Sequence, residues 1–492
     1  MTATTTNPHH DRRWLILVIL GVAQLMVVLD ATIVNIALPS AEADLGFSDA
    51  DRQWVITAYA LAFGSLLLIG GRLGDLFGRR RLFVTGLAGF AVASAIGGFA
   101  QSFEVLVASR ALQGVFGAML APSALSLLTV TFSSGPERAK AFGIFGAIAG
   151  GGASLGLLLG GVLTEYLSWR WCMFVNLFFA IPAALGAMAL LSDTRPEHRP
   201  KLDLPGVATA SAGLFLLVYG FSRAESDGWT DTLTLASLGL SGVLLVAFVA
   251  LQTRVAQPLL PLRIVTDRNR GGAYLGMGIT AIGMFGVFLF LTFYLQRTLG
   301  FSPVESGAAF LPMTFAIAIS AGLATTRLLP RVGPRPLITG GMVAIAGSLV
   351  WLAQLQVDST YAAHVLPAII LLGLGMGQVF APVFNTATLN VEQQDAGVAS
   401  AMVNTMQQVG GAVGTALLST LAASATTDYV TTNGGPSLEV IAAAEVHGYT
   451  TAFWIAAAII AAGSVVVGLT LRSGAPQVAA HPGADAAPVA AH

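Results

Sequence analysis

From Leu15 onward the chain alternates long apolar runs with short polar stretches rich in Arg, Asp, Gly and Pro. An apolar helix of about 20 residues crosses roughly 30 Å of hydrocarbon. Inside a bilayer every backbone polar group must find its partner within the protein, and a helix does this within the segment itself. The pattern predicts fourteen spans, near 14–38, 52–71, 82–101, 104–131, 139–163, 169–191, 204–222, 232–253, 271–296, 303–326, 335–354, 361–388, 397–421 and 448–471. The expected fold class is an all-α polytopic membrane protein.

Composition agrees with that pattern. The 492 residues are 55% hydrophobic and 10% charged, with a mean hydropathy of +0.76, against about 25% charged in a soluble domain. The charges are sorted by side. Of 24 Lys+Arg, 19 fall on the N-terminal side of the spans, Arg52, Arg170, Arg223 and Arg297 fall on the other, and Arg110 lies within a span. Positive loops stay cytoplasmic, so both termini are expected inside. The outer loops are acidic, and the longest is expected over 425–440. The run after Arg13 lacks a small-residue cleavage site and is expected to remain as the first span. The Ala/Pro-rich C-terminal tail is expected to be disordered.

Other chemistries find little support. A single cysteine, Cys172, leaves no internal disulfide framework, the seven histidines form no metal-ligand cluster, and no nucleophile with base and orienter is visible. Neither an enzyme nor a nucleic-acid binder is expected.

Internal repetition bears on the organisation. R-L-G-D-L-F-G-R-R-R-L (Arg72 to Leu82) is echoed 255 residues later by R-L-L-P-R-V-G-P-R-P-L (Arg327 to Leu337), and G-A-M-L-A-P (Gly117 to Pro122) by G-Q-V-F-A-P (Gly377 to Pro382). If spans 1–6 correspond to spans 9–14, spans 7 and 8 are an inserted pair. The expected organisation is an N-terminal tail 1–13, a six-helix bundle 14–191, two extra helices with linkers 192–270, a second six-helix bundle 271–472 and a tail 473–492.

Three stretches carry candidate chemistry. In the inner loop, Gly71, Gly74 and Gly78 permit a tight turn and close backbone approach. Beside Arg72, Arg79 and Arg80, Asp75 sits where it could accept from a helix N-terminus or an arginine, a contact made in one conformation and broken in another. No Gly-Lys-Ser/Thr follows, so this is not a phosphate loop. In V-V-L-D-A-T-I-V-N, Asp30 lies roughly 22 Å into a core about 30 Å thick. An aspartate near a helix centre costs about 2.5–3.5 kcal/mol, which makes Asp30 a candidate proton carrier; the plainer alternative is a packing role with helix backbone or Asn35. In R-A-L-Q-G, Arg110 shares a helix face with Gly114 and, more loosely, Gln113, and a polar network with Gln113 and Asp30 is expected. The alternative is an arginine at the span boundary that snorkels to an interface.

These residues resemble a known family. G-R-L-G-D-L-F-G-R-R-R-L (Gly71 to Leu82) is similar to the loop signature of the major facilitator superfamily, and L-D-A-T-I-V-N-I-A-L-P resembles the first-span motif of its fourteen-span drug:proton antiporters. R-A-L-Q-G-V-F-G-A (Arg110 to Ala118), W-R-W-C-M-F-V-N (Trp169 to Asn176) and G-V-A-S-A-M-V-N-T-M-Q-Q-V-G-G-A-V-G-T-A-L (Gly397 to Leu417) match the same subfamily. The resemblance implies two six-helix bundles plus two inserted helices, with proton coupling through Asp30 and Arg110. It also implies an antiport motif at Gly156, Gly160 and Gly161. There G-L-L-L-G-G departs from the family by placing Leu157 where a proline is usual, so a softer kink is expected.

The fifth span holds eight glycines between Gly143 and Gly161, suited to tight packing or to a sliding interface. Candidate cavity residues are Gln24, Asn35, Gln113, Asn176, Asn404, Gln407 and Gln408, with Thr405 beside the last three. Most aromatics of the ninth span, Phe285, Phe288, Phe290, Phe293 and Tyr294, are expected to face lipid. The combined expectation is a monomeric exporter in a bacterial cytoplasmic membrane, without cofactor or metal, exchanging protons for lipophilic drugs or antibiotics by alternating access. A proton-coupled metabolite importer and a non-transporting membrane sensor or scaffold are the alternatives.

Overall fold

The computed structural model describes residues 12–47, 49–133, 135–192, 202–433, 435 and 437–474. Most of the N-terminal tail, the linker residues Arg195, Arg199 and Lys201, and nearly all of the C-terminal tail lie outside the described residues. Among the described residues all regular structure is helical, and fourteen stretches are long and apolar enough to cross a membrane.

The first six spans are α1 (Arg13–Leu45), α2 (Asp49–Phe77), α3 (Arg79–Gly98), α4 (Phe103–Thr131), α5 (Gly135–Tyr166) and α6 (Trp171–Leu190). Then come α7 (Leu204–Ser226), α8 (Thr232–Gln252) and the short α9 (Leu262–Thr266). α10 (Arg268–Phe293) continues through a π-helical turn to Thr298. α11 (Pro303–Ala309), α12 (Leu311–Leu323) and α13 (Leu329–Val332) make one interrupted span, followed by α14 (Pro334–Leu352), α15 (Leu366–Thr388), α16 (Ala396–Thr432) and α17 (Leu438–Thr470).

Packing divides these helices into two sets. In the first, α2 and α3 pack on α4, α1 packs on α5 and α6, and α3 packs on α6. In the second, α12 and α14 pack on α15, α10 packs on α16 and α17, and α14 packs on α17. The five pairings are the same when spans 1–6 are laid on spans 9–14. Backbone conformation repeats with them: Gly78 (φ 99°) precedes α3 and Gly333 (φ 79°) precedes α14, and both conformations favour a residue without a side chain. Between the sets, α7 packs on α8, α2 and α16, so it lies across one seam; the other seam runs along α5 against α11, α12 and α15.

Three expectations change. The glycine-rich inner segment is not an open loop. α2 runs on through Gly71 and Gly74 to Phe77, leaving Gly78 alone to turn the chain. The outer loop expected over 425–440 is mostly helix, because α16 reaches Thr432 with Thr427 and Thr432 bonding carbonyls four residues back. The aromatics of α10 do not face lipid: Phe290 and Tyr294 are buried, and Phe285, Phe288 and Phe293 are half-buried against the core. The reason is placement, since α10 contacts α14, α15, α16 and α17.

Close approach of α4 to α2 depends on Gly114, where an added Cβ would lie 2.5 Å from the Tyr59 carbonyl oxygen. Gly114→Val is expected to cost at least the 1–3 kcal/mol of ordinary overpacking, roughly. Gly239→Ala, which meets nothing within 4 Å, is expected to leave stability unchanged. Thermal unfolding of both variants in detergent checks the contrast.

Candidate functional site

The first helix set converges on Asp30. Its side chain is inaccessible to solvent and accepts three hydrogen bonds. Arg110 Nη1 on α4 donates to Oδ2 at 2.6 Å, while Gln113 Nε2 on α4 and Asn176 Nδ2 on α6 donate to Oδ1 at 2.9 and 2.7 Å. Arg110 Nη1 also donates to Gln113 Oε1 (2.7 Å), and Gln113 Nε2 donates to Ser94 Oγ on α3 (2.7 Å). From α2, the Val55 carbonyl accepts from Arg110 Nε at 3.3 Å, and the Tyr59 ring lies 4.5 Å below the guanidinium. Five helices therefore supply one polar cluster.

Helical spacing explains part of this: Arg110 and Gln113 stand three residues apart and share a face. Arg110 does not snorkel; it is 2% exposed and points inward. The ionic and polar bonds offset a burial that would otherwise be prohibitive. Two polar atoms remain unmet, Asn176 Oδ1 and the Tyr59 hydroxyl. Ser94 and Tyr59 are members that sequence reasoning missed, because neither is unusual in an apolar helix.

The candidate cavity residues are split by the structure. Gln113 and Asn176 are buried within the first helix set as partners of Asp30, so they do not line an open cavity in this conformation. Asn35 is exposed and makes none of the cluster's bonds, while Gln24 is buried on α1. On α16, Asn404 donates to the Ser400 carbonyl (3.0 Å), Thr405 is buried, and Gln407 and Gln408 are half-buried.

The two sets meet at the end of the molecule that carries most of the arginines. On the α2–α16 seam, Asp75 Oδ1 accepts from Arg79 Nη2 (2.8 Å) and from the Gly397 backbone N–H (3.2 Å) in the first turn of α16. That position suits an anion. Arg79 also donates to the Gln393 carbonyl. Gly71 is needed here for proximity, since its Cβ would lie 2.5 Å from the Gly397 carbonyl oxygen. Asp395 receives Arg263 from α9 at 2.6 Å and faces Arg72 at 3.9 Å. Arg80 points away and donates to the Met188 carbonyl on α6 (2.6 Å).

A second contact on the α5 seam was not foreseen. Arg138, 4% exposed, donates from Nε to Asn385 Oδ1 (3.1 Å) and from Nη2 to the Asn385 carbonyl (3.3 Å) and Thr388 Oγ1 (2.9 Å). These acceptors lie at the C-terminal end of α15, where the helix dipole favours a cation. Nη1 reaches the Phe132 carbonyl (3.0 Å), and the guanidinium lies 4.2 Å above the Phe142 ring. The bonds across the seam all end on neutral oxygens.

The glycines of α5 serve two faces. Gly152, Gly156 and Gly160 pack on α1, whereas Gly143, Gly146, Gly150, Gly151 and Gly161 face the second set. Of the predicted antiport-motif glycines, only Gly161 therefore lies on the seam, against Val304. Helix α5 passes through Leu157 without interruption.

Comparison with known proteins fits this architecture. The family model described as Major Facilitator Superfamily matches residues 20–415. The chain belongs to the major facilitator superfamily. This facilitator is a multi-pass membrane protein, and it is 50% identical over 464 residues to the puromycin resistance protein of Streptomyces alboniger, covering 94% of this chain and 92% of that one. It is 40% identical to the cephamycin export protein of Amycolatopsis lactamdurans, over 83% and 85% of the two chains. The solved proton:xylose symporter XylE shares the fold, with a TM-score of 0.65 at 12% identity over 94% of this chain and 97% of that one.

Removing one partner of the buried pair should be worse than removing both. Arg110→Ala is expected to lose roughly 3–5 kcal/mol, and Asp30→Asn added to it should restore part of that loss. Denaturant unfolding of the single and double variants measures the coupling. At the seam, Arg138→Met is expected to open the arginine-rich end. Spin labels at Lys140 and Arg331 in a Cys172→Ser background should then report a longer distance.

Proposed function

We propose that this facilitator exports antibiotic-like small molecules in exchange for protons, as a monomer in a bacterial cytoplasmic membrane with its arginine-rich end and both termini inside. Export is supported by likeness to proteins named for puromycin resistance and cephamycin export. The distribution of arginines supports the orientation. The proton gradient supplies the energy, and no cofactor is required.

The observation that carries proton coupling is the Asp30–Arg110 pair inside the first helix set. A proton arriving on Asp30 cancels the charge that holds Arg110. The guanidinium is then buried without a counter-charge, an arrangement costing several kcal/mol, and its release comes through rearrangement of α1, α4 and α6. Because the same helices contact α2 and α5, which form both seams, the rearrangement reaches the contacts at Asp75 and Arg138. Substrate binds between the sets, where few fixed charges limit selection by polarity.

The test uses inside-out vesicles with an acidic lumen, to which puromycin or other lipophilic cations, anions and neutral antibiotics are added one at a time. Substrate should trigger proton release from the lumen with the wild-type chain and none with Asp30→Asn. Equal transport by both chains would make Asp30 structural. Solute movement in the opposite direction would identify an importer, and no movement of any compound a sensor or scaffold.

A further inference from the structure

Asp30 gives Arg110 a charged partner, and three neutral groups share the guanidinium with it. Gln113 Oε1 on α4 accepts at 2.7 Å, the Val55 carbonyl on α2 accepts at 3.3 Å, and the centroid of the Tyr59 ring, also on α2, lies 4.5 Å from the guanidinium carbon. Val55 and Tyr59 stand four residues apart and so present to α4 from one face of α2. The ring is set from its own helix, because Phe63, one turn further on, stacks on it with centroids 5.4 Å apart and planes 12° apart. Both rings are buried. The Tyr59 hydroxyl makes no hydrogen bond among the described residues, so what Tyr59 offers the cluster is its ring face.

An aromatic face attracts a cation electrostatically, and more strongly once both are desolvated. With Asp30 ionised, the carboxylate cancels much of the guanidinium's field, and the ring meets a neutral pair. With Asp30 neutral, the same ring meets an uncompensated cation at low dielectric, where the attraction is larger. The contribution of Tyr59 therefore depends on the charge state of Asp30, which packing alone would not produce.

We propose that Tyr59 is a positioning residue that keeps Arg110 seated on α2 while Asp30 is protonated, so that the same ion pair re-forms when the proton leaves. This rests on the reading of Asp30 as the proton carrier. Because Val55 and Tyr59 both belong to α2, the cation they retain stays with α2 and α4 while its bond to α1 weakens.

A double-mutant cycle in the full chain tests it, with Asp30→Asn standing in for the protonated carboxyl and denaturant unfolding in detergent as the measurement. Tyr59→Leu should lower the folded-to-unfolded ratio about tenfold more in the Asp30→Asn background than in the wild-type background. Tyr59→Phe, which keeps the ring, should show no such dependence on background. Should Tyr59→Leu not fold, Tyr59→Phe with increasing ring fluorination replaces it: fluorine draws charge from the ring face while keeping its shape, and each step should cost more when residue 30 is uncharged. Equal losses in the two backgrounds would make Tyr59 ordinary core packing and overturn the proposal, as would a Tyr59→Phe variant behaving like Tyr59→Leu. The cycle reads stability and the vesicle experiment reads transport. No coupling in the cycle beside Asp30-dependent proton release sinks this proposal alone, and coupling in the cycle beside no transport sinks the export reading alone.

Discussion

A carboxylate and a guanidinium 2.6 Å apart, both shut away from solvent inside one six-helix set, are the interaction on which this architecture turns. Neither could be buried alone, and together they still require Gln113, Asn176, the Val55 carbonyl and the Tyr59 ring. The need for satisfied donors and acceptors draws α1, α2, α3, α4 and α6 to one point. Packing alone would leave these apolar helices many near-equivalent rotations about their axes. The polar cluster selects one of them.

The seams follow a different rule. Their helices meet through glycine faces, with the arginine bonds gathered at one end and Thr314 Oγ1 donating to the Gly151 carbonyl (3.3 Å) midway along α5. On the α2–α16 side the Asp75 carboxylate accepts from the Gly397 N–H in the first turn of α16, Arg79 donates to the Gln393 carbonyl, and Arg72 faces Asp395 at 3.9 Å. On the α5–α15 side a single arginine bonds neutral oxygens. Both sets of bonds are made by buried side chains, Arg72, Asp75, Arg79 and Asp395 on one seam and Arg138 on the other, so both are shielded from ionic strength.

Much of this was legible in the sequence. The fourteen spans follow from run length, and Asp30 and Arg110 are conspicuous because charge is costly in hydrocarbon. Gly78 and Gly333 lie 255 residues apart in matching contexts, and both adopt positive φ. What resisted reading was the direction each helix face points. In a span apolar on all sides no periodicity marks the inward face, so Phe285 and Phe288 read as lipid-facing and Gly156 read as part of a sliding surface. Arg138 was counted among the loop arginines because it lies three residues into α5. Its burial depends on Asn385, 247 residues away.

The inserted pair breaks the symmetry of the two repeats. α7 lies over α2 and α16, tied to α2 by Ser222 and Thr57 (3.1 Å), while Trp229 in the α7–α8 turn donates to Thr420 on α16 (3.0 Å), and α8 packs behind it. Among the described residues, neither helix of this hairpin packs substantially on α5. A molecule dissolved in the bilayer thus meets one flank covered by the inserted hairpin and another formed by α5 with α11, α12 and α15.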